Sequence, residues 1–162
     1  MKRRRIFAIA GLILLAAVLG GLYQRYFSSP LGRLVLDLYF QGIIVDTAKH
    51  PDGLSFTGVW EVTPDEIRQM ESKLTTYVRR HRKRMGGRIS NELRYYKRQY
   101  LGVLGEDSEK LIDISFCHEK VTDRRDWLQY YSEEVGGGDY YWHIIYDVDL
   151  GNFRNFFANE PD

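Results

Sequence analysis

The strongest hydrophobic pattern lies at the start of the chain. Lys2, Arg3, Arg4 and Arg5 precede a run from Ile6 to Tyr23 with no charge and no proline. As a helix rising about 1.5 Å per residue, that run covers about 27 Å, close to the ~30 Å apolar core of a bilayer. Basic residues ahead of a span stay on the cytoplasmic side, so the remainder is expected outside. A cleaved signal peptide would carry an apolar core of about 7–15 residues and an A-x-A-like site. Here Val18 and Gly20 would have to serve as the two small positions, and the run is longer. The pattern predicts an uncleaved, single-pass anchor in the inner (cytoplasmic) membrane, N-terminus in. The rest would face the periplasm or the cell exterior.

Residues 30–45 are apolar but interrupted by Arg33 and Asp37, so they are not a second span. Leu31, Leu34, Val35 and Leu38 fall at helical spacing, with Ser29 as N-cap and Pro30 at N1. That predicts a short amphipathic helix; the alternative is a linker with some buried apolar residues. Residues 46–58 are turn-rich and read as a loop. Thr63, Pro64 and Glu66 then fit a capping box, and Ile67, Met70, Leu74, Tyr77 and Val78 form one apolar stripe. A helix is predicted over 64–84, ended by Gly86 and Gly87.

The period then changes from helical to alternating. Strands are predicted near 94–104, over 110–118 (Ile112, Ile114, Phe116 against Asp113, Ser115, Cys117), over 139–148 and near 152–158. Residues 119–138 read as a long excursion. The expected fold class is α+β: a transmembrane helix, then one long amphipathic helix packed on an antiparallel sheet of about four strands. The expected domains are 1–29 (basic flank and anchor), 30–58 (juxtamembrane segment and loop) and 59–162 (extracytoplasmic α+β domain).

Composition changes this picture little, but charge refines it. The 44% hydrophobic and 14% aromatic content excludes a disordered polar chain, and one cysteine excludes an intrachain disulfide and any Cys-clustered zinc site. The formal net charge of +1 conceals segregation. Residues 1–29 hold five basic and no acidic side chains, and 79–98 hold nine basic residues against Glu92 alone. Residues 99–162 carry five basic against fourteen acidic.

The order of features in 58–160 resembles a set of small, uncharacterised bacterial envelope proteins, often anchored or lipid-modified. The residues that carry the likeness are Trp60, Tyr96, Arg98, Gln99, Tyr100, Gly102, Trp127, Gly137, Gly138, Asp139, Tyr141, Trp142, Tyr146, Asp147, Gly151, Phe153 and Asn159. The resemblance implies a cystatin-like or NTF2-like arrangement and brings no activity with it. Such relatives often use a lipid-modified Cys; the leader here has none, so an ordinary anchor must serve.

Candidate chemistry is sparse. Cys117 and His118 are neighbours, but adjacent strand residues point to opposite faces and cannot act as a dyad. His50, His81, His118 and His143 show no metal-ligand spacing, so neither metal nor cofactor is expected. Asp147, Asp149 and Gly151 depart from the calcium-loop pattern and suit a turn, and Gly136–Gly138 lack the lysine and helix of a phosphate loop. Tyr141, His143 and Asp147 share one strand face, and Arg98 is expected to join them in a concave polar–aromatic surface. The plain alternative is a solvated sheet face. The dense run Arg79, Arg80, Arg82, Lys83, Arg84 and Arg88 suits a helix C-terminus by its dipole, or an anionic lipid or acidic protein surface. Together these predict a non-catalytic, membrane-anchored domain that binds an envelope protein or surface ligand, with nucleic acid excluded by location. The alternatives are an NTF2-like hydrolase or isomerase using His143 and Asp147, and a structural tether.

Overall fold

The computed structural model describes residue 29 and residues 31–49, 56–122, 126–131 and 136–160. The expected anchor and its basic flank lie outside these. No helix among the described residues is long and apolar enough to cross a membrane.

The structure is a mixed seven-stranded sheet, not the four-stranded antiparallel sheet expected. Its strands are β1 (Gly32–Leu36), β2 (Gln41–Val45), β3 (Gly58–Val59), β4 (Tyr96–Leu104), β5 (Lys110–His118), β6 (Tyr141–Asp147) and β7 (Asn152–Ala158). The spatial order is β1-β2-β4-β5-β6-β7, with the short β3 pairing the far end of β4. All neighbours are antiparallel except β2 and β4, which run parallel with Gln41 opposite Lys97 and Ile44 opposite Tyr100. A parallel pair needs a crossover. The helices supply it: α1 (Pro64–Arg80), α2 (Arg82–Met85) and α3 (Gly87–Glu92).

Residues 30–45, expected as a short amphipathic helix or a linker, contain a hairpin instead. The supposed stripe does not exist, because Leu31 and Val35 are buried while Leu38 is 95% exposed. Asp37 turns the chain by accepting the Tyr39 amide on its side chain at 3.2 Å, a local bond that competes with a helix. β2 (QGIIV) is buried along its last four residues, and a strand covered on both faces reads as a continuous apolar run rather than an alternation. Its glycine is required. A Cβ at Gly42 would lie 2.3 Å from the Tyr100 ring.

The single helix expected over 64–84 is in fact broken. α1 begins at the Thr63 box, where Glu66 N donates to Thr63 Oγ1 (3.3 Å) and Thr63 N donates to Glu66 Oε2 (2.8 Å). It ends at Arg80, because His81 leaves helical geometry (φ −103°, ψ 16°). α2 then closes at Gly86, whose φ of +87° suits glycine.

Two apolar layers hold the sheet. On one face Ile67, Met70, Leu74 and Val78 of α1, with Met85 and Ile89, pack on Tyr96, Tyr100, Ile112, Ile114, Phe116, Trp142 and Ile144. On the other face Ile43, Val45, Leu101, Val103 and Leu111 are covered by Leu31, Trp127, Leu128 and Tyr131. The edge strand β7 carries a bulge, where the register shifts opposite His143–Ile145 and Asn155 takes φ +54°. The bulge puts both Phe153 and Phe156 against the helix-side core and leaves Phe157 exposed.

Candidate functional site

Sheet alternation decides which candidates can meet. On β6, Trp142, Ile144 and Tyr146 face the helices, so Tyr141, His143 and Asp147 share the second face, as expected from the sequence. Arg98 does not join them. It lies between Tyr96 and Tyr100, both in the helix-side core, and so belongs to the opposite face.

There Arg98 is 2% exposed, with its guanidinium 5.3 Å from the Phe40 ring centre and 5.6 Å from that of Phe116. Its Nε lies 3.0 Å from Glu71 Oε1 without an aligned N–H, so the contact is an ion pair rather than a hydrogen bond. The remaining nitrogens donate to the Tyr96 and Leu93 carbonyls, each at 3.2 Å. Tyr100 donates to Glu71 Oε1 at 2.8 Å. Burial pushes the Glu71 carboxyl above its ordinary range, with Arg98 and the Tyr100 bond opposing, and it pushes the Tyr100 phenol well up. This triad joins α1 to β4 inside the core.

On the second face, the partner that matters to His143 is Asp113 rather than Asp147. Ser115 stands directly opposite His143 across β5–β6, and Asp113 is the diagonal neighbour. Desolvation raises the Asp113 carboxyl, while the His143 charge and a 2.9 Å bond from the Tyr131 hydroxyl lower it. Gln99, on the neighbouring strand, donates to the carbonyls of Trp127 (2.8 Å) and Tyr130 (2.6 Å). Segment 126–131 therefore closes over this polar cluster. Sequence reading missed Asp113 and Ser115 because both sit in an ordinary alternating strand; only the β5–β6 register brings them to His143.

Asp147 is spoken for by its own turn. Its Oδ1 accepts the Leu150 amide at 2.9 Å and its Oδ2 lies 3.6 Å from Arg154. Tyr141 is half-buried, and its hydroxyl reaches the Val121 carbonyl at 3.5 Å. Cys117 is buried on the second face, whereas His118 lies opposite, bound through Nε2 to Glu92 at 2.9 Å and through Nδ1 to the Lys120 amide at 3.1 Å. Accepting at Nδ1 leaves the proton on Nε2, so His118 ties α3 to β5. His50 lies outside the described residues. Among the described residues, no group of three or more His, Cys, Asp or Glu side chains could hold a metal ion.

The basic run occupies the junction of α1, α2 and α3. Arg88 pairs with Asp139 and lies 3.9 Å from the Tyr140 ring centre, and Arg84 sits 5.7 Å from that of Phe156. Arg79, Arg80, Arg82 and Lys83 are exposed and form no ion pair among the described residues. Tyr77 packs on Phe153 at 5.0 Å, which fixes this helix end over β7. Residue 29, where the described chain begins, lies beside β1 at the other edge (Ser29 N to Gly32 O, 3.1 Å). Five strand spacings of about 4.8 Å separate the two edges, roughly 24 Å.

No protein-family profile, no curated protein and no solved structure matches this chain.

Proposed function

We propose that this chain is a membrane-tethered, non-catalytic domain that presents its cationic helix end to an acidic surface on a partner protein. The observation that carries the reading is the set of four exposed cations, Arg79, Arg80, Arg82 and Lys83, with no carboxylate partner among the described residues. Residues 79–98 hold nine basic residues against Glu92 alone, and a surface of that sign steers an anionic partner. Its place at the β7 edge, away from residue 29, favours a partner protein over the headgroups beside the predicted anchor. The second-face cluster is not the contact in this reading, since segment 126–131 covers it and Asp147 serves a turn.

A photo-crosslinking amino acid at positions 82 and 83 of the full chain, in intact cells, tests this. A C-terminal alkaline-phosphatase fusion reports export in the same strain. The expected result is an active fusion and a discrete protein adduct, lost when Arg79 and Arg80 are changed to Glu. Lipid adducts alone, an unchanged adduct in the Glu variant or an inactive fusion at normal expression would each sink the reading.

A further inference from the structure

An open groove of about 410 Å³ lies between the C-terminal half of α1 and the β6–β7 turn, lined in part by Lys73, Thr76, Tyr77, Arg80, His81 and Phe153. We infer that this groove takes an acidic peptide segment of the partner, with carboxylates against Lys73 and Arg80 and an adjacent aromatic or aliphatic side chain on Tyr77 and Phe153. The inference rests on the reading above that the partner is an acidic protein, and it names where the specific contact falls.

The volume is within the range of binding clefts, about 300–1,000 Å³. No carboxylate is among its lining residues that the structure describes, so Lys73 and Arg80 face it with no acid beside them among the described residues. Lys73 is held in place. Its ammonium donates to the Tyr146 hydroxyl at 2.8 Å and to the Gly151 carbonyl at 3.4 Å, and it stands 5.4 Å from the centre of the Tyr146 ring. Both partners are neutral and take two of the three ammonium protons, so charge and one proton remain for a ligand. Gly151 makes this seat possible: it turns at φ +66°, and a Cβ there would lie 2.9 Å from Lys73 Nζ.

His81 is likewise fixed, its ring 4.2 Å from that of Tyr77 and its Nδ1 2.9 Å from the Tyr77 carbonyl. Holding side chains before binding removes part of the ordering cost that a ligand would otherwise meet. The floor is aromatic, with Phe153 packed at 5.0 Å on Tyr77 and at 4.9 Å on Tyr146. A bare phosphate would engage the cations and leave that floor wet. An extended peptide satisfies both, and the Thr76 and Asn152 side chains offer polar partners to its backbone. Arg79 and Arg82 are exposed and adjoin the lining residues Arg80 and His81 in the chain, so a longer acidic segment would continue onto them.

The test is a fluorescence-polarisation titration of the full chain in detergent micelles with a labelled hexapeptide, Glu-Asp-Phe-Glu-Asp-Glu. The expected result is saturable binding, weakened at least about tenfold by Lys73→Met with Arg80→Gln and by replacing the peptide's Phe with Ser. Thr76→Glu, which adds a carboxylate at the groove without touching the core, should abolish binding while circular dichroism stays unchanged. Arg82→Gln with Lys83→Gln should weaken the Phe and Ser peptides by the same factor, as a site outside the groove must. Equal affinity for the two peptides, no effect of the groove variants, or displacement by inorganic phosphate as effective as by unlabelled peptide would overturn the groove assignment. A protein adduct from positions 82 and 83 alongside wild-type peptide binding by the groove variants would sink this inference alone. Groove binding with no such adduct would sink the broader reading and leave the groove standing.

Discussion

At the scale of single residues, Arg98 and Glu71 show how a buried charge constrains the fold. A guanidinium cannot shed its proton, whereas a carboxyl whose burial already raises its affinity for protons can. The two single replacements should therefore differ. Glu71→Leu leaves Arg98 charged between two aromatic rings and should destabilise by about 3–5 kcal/mol. Arg98→Met should cost less, because Glu71 can become neutral, and the gap between the variants should widen as pH falls. The double variant should recover most of the loss. Urea unfolding of the four proteins gives the coupling, and simple additivity would show that the pair carries no mutual dependence. Asp113 and His143 teach a related lesson on the other face: residue type advertised His143, but its effective neighbour was set by strand register.

At the scale of elements, what was legible depended on whether the signal was local. The Thr63 box lies within four residues, and the alternation in β5 and β6 lies within nine, so both could be read directly. β1 and β2 could not. In a short stretch, helical spacing and a twisted hairpin select overlapping sets of apolar positions, and β2 lost its alternation because both of its faces are buried. Gly42 is the residue that exposes the true arrangement. Gly42→Val should place a branched side chain on the Tyr100 ring and destabilise by about 1–3 kcal/mol, the range for an overpacked core. Thermal unfolding of the variant checks this, and a Tm within a degree of wild type would contradict the β2–β4 packing. The single predicted helix failed for a different reason: Arg79–Arg84 suit a helix locally, but the crossover must turn back over the sheet, and His81 and Gly86 provide the corners.

For the whole molecule, two buried carboxyls on opposite faces give stability a common pH dependence. Glu71 and Asp113 both bind protons more readily folded than unfolded. Their contribution is present in full below the ordinary carboxyl range of about 4 and is lost as pH rises through their raised folded values. Glu71→Gln and Asp113→Asn should therefore compare least favourably with wild type near pH 4 and gain on it toward pH 7. Chemical unfolding across that span measures the trend, and a difference that grows in the other direction would contradict the assigned burial. The charge pattern is also a whole-molecule property. The basic run was visible in the sequence, yet only the order of strands puts it at the edge opposite the start of the described chain.

The sequence alone determined the apolar, basic-flanked start that predicts an anchor, the capped start of α1, the alternation of β5 and β6 and the segregation of charge. Each is carried by neighbours a few residues apart, where backbone geometry leaves little choice. Tertiary structure alone decided the parallel β2–β4 pair, the covering of the second face, the placement of Arg98 in the core rather than beside His143, and the seating of Lys73 at Gly151. Those outcomes depend on long-range register, and a shift of one residue in a strand would send every side chain to the other face.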